Sequence, residues 1–203
     1  MTVHALHPSP DYVSDFIRAA GHPYEFVVLH HLTQRLRDVE SGVIVDVGAM
    51  IGNHSQFLAE QLPAFTIHAF EPWPPSRDLL RINCAGQNVT VHPYALSDWT
   101  GESFMRAEPG NIGHAYLTDA GLKVKVRTLD SFHFRDLRLI KIDVEGWEPN
   151  VLRGAWATIN QWHPLIALED WTGGNYGGGL PEGYALADEW ATQHQVYLYE
   201  WRP

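Results

Sequence analysis

The stretch VIVDVGAMIGNHS, residues 43–55, limits the fold of this chain more than any other. A β-branched run ends in Asp46 and Gly48, Gly52 follows four residues later, and NHSQFLAEQL (53–62) takes up helical spacing until Pro63 stops it. That is a strand over 42–48, a tight turn and a helix. The pattern then recurs: FTIHAFEP (65–72) as strand, PSRDLLRINCAGQ (75–87) as helix, NVTVHPYALS (88–97) as strand. Later come a strand at 138–143, a helix near 147–160 and PLIALED (164–170) as a further strand. Alternating strands and helices predict an α/β fold, a doubly wound and mostly parallel sheet of six to seven strands.

The remainder fits around that sheet. Residues 11–20 and 24–38 read as two helices separated by Gly21 and Pro23. They form an N-terminal helical cap (1–40) on a main domain (41–203), one domain overall. Residues 101–108 and 122–129 alternate like antiparallel or edge strands, and 109–121 reads as a glycine-bearing loop between them. The six glycines of 171–183 mark a loop beside the site. Residues 184–194 read as a helix and 195–201 as the final strand. With one clear strand at the C-terminus, either the sheet has six strands or a second copy of the chain, a homodimer partner, covers its edge.

Composition narrows the class of partner. The 203 residues are 45% hydrophobic, enough for a folded core, and the formal net charge is -10. Such a chain repels nucleic acid and anionic membranes, although Arg127, Arg135 and Arg138 are candidates for a local basic patch. Cys84 is the single cysteine, which excludes an intrachain disulfide and suits a reducing cytoplasm. The start MTVHALHPSPDYVSDF has neither the basic region nor the apolar run of a signal peptide, and no run approaches the ~20 apolar residues of a membrane helix. The expectation is a soluble, cytoplasmic protein with no membrane insertion.

Chemistry concentrates at the ends of the early strands. Glycine at 48 and 52 lets backbone approach a ligand, and the helix start offers unpaired N–H groups. An ordinary tight β-α turn would look the same. The second strand separates the two readings, because it ends at Glu71, nineteen residues beyond Gly52, where an acid can accept hydrogen bonds from both ribose hydroxyls of an adenosine. Pro72 then fixes the chain direction. The spacing Gly48-x-x-x-Gly52 is not G-x-G-x-x-G, and Asp46 would oppose a pyrophosphate. An amino group and a sulfonium suit it better, which favours S-adenosylmethionine over NAD.

DVGAMIGN (46–53), AFEPWP (69–74), PYALSDWTGE (93–102), NIGH (111–114), TLDSF (128–132) and LIKIDVEGWEPNVLRGA (139–155) stand in the order found in FkbM-type methyltransferases, which the chain therefore resembles over roughly residues 40–170. The resemblance implies a Rossmann-like class I fold and S-adenosylmethionine-dependent O-methylation of a small-molecule or glycan hydroxyl. It implies that Asp46, Gly48, Ala49, Gly52 and Asn53 line the methionine end of the cofactor. Glu71 and Pro72 would lie at the ribose, and Ala95, Leu96 and Ser97 at the adenine, with Ser97 or Asp98 near its amino group. Asp143 and Glu145 would face cofactor and acceptor. Met50 departs from the family, which commonly has Asn in that turn.

Open α/β sheets bind ligands beyond the carboxyl ends of their strands, which places Asp46, Glu71, Ser97, Asp143 and Glu169 on one rim. Asp143 is the first candidate for the reacting end, against a reading as helix N-cap. Glu145 reads equally as a base or as a first-turn acid favoured by the helix dipole. His114, in NIGH, is a candidate general base or a surface histidine. Lys141 alternates with Ile140 and Ile142 and reads as half of a structural ion pair. His54 reads as a backbone or cofactor contact, and Trp171 as an aromatic platform for the acceptor. Asp143 with Glu169 and Asp170 would also suit Mg²⁺, a reading ranked below a metal-free site. The alternatives from other classes are a non-catalytic nucleoside-binding module and an NAD-dependent oxidoreductase.

Overall fold

The computed structural model describes residues 5–7, 10–170, 179–191 and 195–203, without the side chains of Ile112 and Gly113. The strands of the main sheet are β1 (Gly42–Val47), β2 (Phe65–Phe70), β3 (Val89–His92), β8 (Leu137–Ile142), β9 (Leu165–Asp170), β10 (Tyr184–Ala191) and β11 (Gln195–Trp201). Their order is β10-β11-β9-β8-β1-β2-β3. The pairs from β3 to β9 are parallel, and β11 runs antiparallel to both β9 and β10. The expected mostly parallel sheet is thus corrected to a mixed one: parallel pairing stops at β9, because a hairpin closes the C-terminal edge.

That hairpin corrects two more expectations. Residues 184–194 were expected to be a helix, and Tyr184–Ala191 is a strand. Its Ala, Leu, Asp and Glu suit a helix locally, but seven registered residue pairs with β11, interrupted by one bulge at Leu186/Asp188, override that preference. The sheet therefore has seven strands, and its C-terminal strand pair comes from within the chain. Residues 171–178 and His194 lie outside the described residues.

Strand alternation sorts the core onto two faces. Ile44 and Leu139 point to one face and pack with Leu29 and Leu32 of α2 (Phe26–Leu36) and Leu58 of α3 (Asn53–Gln61). Val45, Val47, Ile140 and Ile142 point to the other. They meet Val151 and Leu152 of α5 (Glu148–Gly154) and Ile159 of α6 (Trp156–Trp162). The single helix expected near 147–160 is two, divided at Ala155. α4 (Pro74–Asn83) packs Leu80 against Ala49, Ala69 and buried Cys84.

The middle of the chain forms a second sheet. The strand expected over 88–97 breaks at Pro93, which lacks the N–H a ladder needs. β4 (Tyr94–Leu96) leaves the main sheet and pairs with β7 (Leu122–Arg127), giving the order β4-β7-β5-β6 with β5 (Gly101–Glu108) and β6 (Asn111–Thr118). The loop expected over 109–121 is thus mostly strand; only Pro109 and Gly110 turn the β5–β6 hairpin, with Gly110 at φ 84°. α1 (Tyr12–Ala20), capped by Asp11 accepting from the Ser14 N–H, lies against β6. No helix among the described residues is long and apolar enough to cross a membrane.

Candidate active site

A cavity of about 320 Å³ opens at the carboxyl ends of β1, β2, β8 and β9, within the ~300–1,000 Å³ range of small-molecule pockets. Gly48, Glu71, Pro72, Asp143, Glu145 and Glu169 form the main-sheet wall. Tyr94, Ala95, Leu96, Glu108, His114 and Tyr116 come from the second sheet, and Asp11, Tyr12 and Tyr24 from the N-terminal helices.

The main-sheet wall is laced by backbone. Gly48 and Ala49 donate to the Phe70 carbonyl (3.1 and 3.0 Å), and Asp143 N–H donates to the Val47 carbonyl (3.1 Å). Gly48 has φ 78°, and a Cβ there would overlap the Asp143 carbonyl oxygen, so the two strand ends meet only through glycine. Met50 N–H donates to Glu71 Oε2 (2.8 Å) and Trp73 N–H to Glu71 Oε1 (2.7 Å). These bonds aim the carboxylate at the cavity, while burial outweighs them and raises its pKa to about 7. Met50 itself sits at φ 47°, a left-handed conformation that suits the family's Asn better than Met.

Beneath this wall lies a buried ionic cluster. Lys141 stands opposite Asp46 in register, 3.8 Å away, and donates to Asp143 Oδ2 at 2.9 Å. Asp46 accepts from Ser55 Oγ–H at 2.6 Å. Burial disfavours the ammonium, but the two carboxylates outweigh it and hold Lys141 charged. Burial also pushes Asp143 up, and Lys141 outweighs it, so Asp143 is held ionised. Glu169 hydrogen-bonds to Asp143, and burial with that neighbouring charge pushes its pKa up. The expected structural ion pair of Lys141 is therefore a cluster with two acids. The N-cap reading of Asp143 is corrected: Trp147 occupies the N-cap of α5.

Glu145 is presented by a strained loop. It has φ 56°, and buried Glu148 holds the turn by accepting from the Val144 and Gly146 N–H groups, both at 3.1 Å. Burial, then the charge of Asp143, raises Glu145 to about 8. Its Oε2 is buried without a hydrogen bond among the described residues, 3.3 Å from His114 Nε2. The other ring nitrogen of His114, Nδ1, lies 2.8 Å from Glu108 Oε2. Glu108, His114 and Glu145 thus form a chain of side chains across the cavity.

Of the residues singled out in the sequence, Gly48, Glu71, Pro72, Ala95, Leu96, His114, Asp143 and Glu145 meet in this cavity. Asp46, Ala49, Gly52, Asn53 and Ser97 do not line it. Asp46 belongs to the cluster below. Gly52 has φ 85° and packs on Leu80. Asn53 exchanges hydrogen bonds with the Tyr24 backbone (both 3.2 Å), and Ser97 Oγ accepts from Trp147 Nε1–H (3.0 Å) and reaches Asp98 (3.1 Å). His54 is fully buried, and its pKa falls to about 3, so it is neutral. Arg127 lies over the Tyr94 ring at 5.2 Å and Arg138 pairs with Asp136 at 2.5 Å. No group of three or more His, Cys, Asp or Glu side chains forms a metal-ligand set among the described residues.

Sequence reading missed Tyr12, Tyr24, Glu108, Tyr116, Trp147 and Glu148. His114 and Tyr116 stand two apart, the spacing that puts both on one face of a strand, so a signal was present in NIGHAYLT. Nothing local pointed α1 at the cavity.

Three comparisons bear on the site. Residues 46–197 match the model of the methyltransferase FkbM domain. A hexuronic acid methyltransferase, AglP of Haloferax volcanii, is 32% identical over 123 residues, covering 57% of this chain and 50% of that protein. The chain therefore spans about half the length of the curated relative it matches. Among solved structures, methyltransferase FkbM from Methylobacillus flagellatus aligns at 22% identity and TM-score 0.57, over 80% of this chain and 44% of that one. A putative methyltransferase, yhhF of Escherichia coli, aligns at 17% identity and TM-score 0.56, over 89% and 88%. These two likenesses show the fold.

Proposed function

The chain belongs to the FkbM methyltransferase family, and from that premise we propose that it is an S-adenosylmethionine-dependent O-methyltransferase acting on a hydroxyl of a small molecule or glycan. One observation carries the proposal: a single cavity gathers Glu71, Asp143 and Glu145 from the main-sheet wall and His114 from the second sheet. The residues fit the cofactor. Gly48 lets the ends of β1 and β8 meet at the cavity, and Glu71, fixed by the Met50 and Trp73 N–H groups, would hold the ribose hydroxyls. Asp143, held ionised by Lys141, favours a cationic ligand.

When bound, S-adenosylmethionine supplies a methyl group on a sulfonium and leaves as a neutral thioether. The protein must align the acceptor oxygen, accept its proton and exclude water. His114 is the better base of the two candidates. Donation from Nδ1–H to Glu108 turns the Nε2 lone pair toward Glu145 Oε2, 3.3 Å away, and an acceptor hydroxyl would take Glu145's place there. Glu145 holds its own proton up to about pH 8, so at neutral pH it donates a hydrogen bond rather than accepting a proton. The acceptor O–H proton passes to Nε2 as the new C–O bond forms. Asp143 is committed to Lys141 and Glu169 and orients charge instead of moving a proton.

The test is transfer of labelled methyl from S-adenosylmethionine to an acceptor, with added chelator. Labelled product that survives chelation supports the metal-free reading. Cofactor binding without transfer to any hydroxyl compound would support the nucleoside-binding module instead.

A further inference from the structure

Among the described residues six acids line the cavity, Asp11, Glu71, Glu108, Asp143, Glu145 and Glu169, and no lysine or arginine does. Lys141 lies behind Asp143, bound to it and to Asp46, and Arg77 is spent on the Glu71 and Pro72 carbonyls (3.3 and 2.8 Å). Residues 1–4, 8–9, 171–178 and 192–194 contain no Lys or Arg. The one histidine of the lining, His114, stands between Glu108 and Glu145. An anionic acceptor would lose hydration here and meet like charge without the guanidinium or ammonium that carboxylates and phosphates need. Polar atoms that accept hydrogen bonds, in contrast, are plentiful, and six aromatic side chains (Tyr12, Tyr24, Phe70, Tyr94, Tyr116 and Trp147) line the cavity with apolar rings.

We infer that the acceptor enters this cavity as an uncharged polyhydroxylated ring, such as a neutral sugar, and that the cavity rejects uronates and phosphorylated sugars. The inference rests on the reading of the cavity as the methyl-transfer site. It separates the chain from the relative named for hexuronic acid. Ionised carboxylates accept from the ring hydroxyls and protonated Glu145 donates to them, aromatic faces cover the C–H surface, and the lack of a Lys or Arg side chain in the lining sets the selectivity.

The experiment compares methyl glucopyranoside with methyl glucopyranosiduronate, which differ only at C6. Binding of each is measured by ligand-observed NMR, on the protein alone and on the protein with S-adenosylhomocysteine. The hexoside is expected to bind, and the uronate about tenfold more weakly or worse. Equal or tighter binding of the uronate overturns the inference, and so does failure of both sugars to bind. Failure of S-adenosylhomocysteine to bind counts separately, against the methyltransferase reading, because the sugar comparison still runs on the protein alone. In the Asn111→Arg variant, which adds a cation to the lining, the gap between the two sugars should narrow about tenfold. An unchanged gap in a folded variant contradicts the electrostatic cause, and if that variant does not fold, the wild-type comparison decides alone.

Discussion

The main-sheet wall of the cavity hangs on the adjacent ends of β1, β2 and β8, whereas the opposite wall is a hairpin and a helix that reach the site from elsewhere in the chain. The first wall is buried and cross-tied: Lys141 keeps 10% of its side-chain surface and Asp46 none. The second is half open: the side chains of Glu108 and His114 keep 54% and 30%. Changes to the first wall should therefore act on stability, and changes to the second on turnover.

Lys141→Met should show the largest effect. It leaves Asp46 and Asp143 buried without their cation, for a loss of ~3–5 kcal/mol in urea unfolding. Adding Asp46→Asn should restore part of that loss. If Lys141→Met alone is harmless, the cluster is not what holds the strand ends together.

Glu145 lies between the walls. Its folded pKa of about 8 is above the ordinary glutamate value of 4.5, so the folded state binds the proton more tightly. The stability this proton contributes is complete below pH ~4.5 and is lost as pH rises through about 8. Glu145→Gln should stabilise the protein by ~4 kcal/mol at pH 8 and by almost nothing at pH 4, in melts across that range. A pH-independent difference would place the cause in packing.

Glu108→Gln touches only the open wall. The turnover number should fall about tenfold, as expected for a histidine that loses its orienting carboxylate, while melting temperature and cofactor affinity stay put. A drop in stability instead would remove the distinction between the walls. Met50→Asn should show the smallest effect, a gain of ~0.5–1 kcal/mol from relief of the left-handed strain at φ 47°. No gain would mean that the Met side chain compensates through its packing.

The same contrast decides what was legible in the sequence. The main-sheet wall is local: Gly48 and Glu71 fall within thirty residues on a strand-turn-helix-strand run, and periodicity and glycine spacing suffice to read it. The KIDVEGWE block was legible as a strand end, but the identity of Lys141's partners was not, since Asp46 is set opposite it only by the β1–β8 register. The opposite wall depends on pairing that no local pattern encodes. Pro109-Gly110 reads as a loop signal, yet it is the two-residue turn of a hairpin that carries His114 inward. Tyr184–Ala191 has helix-forming residues and becomes strand only because β11 lies beside it. α1 was read as a helix and not as part of the site, because its amphipathic pattern says which face is buried but not against what.

The most direct test of the account is calorimetric titration with S-adenosylmethionine of the wild type and of Glu71→Ala. The account predicts saturable one-to-one binding to the wild type and affinity at least about tenfold weaker in a folded Glu71→Ala, because that carboxylate would hold the ribose hydroxyls. No binding to a folded wild type, or equal affinity in both proteins, would contradict it.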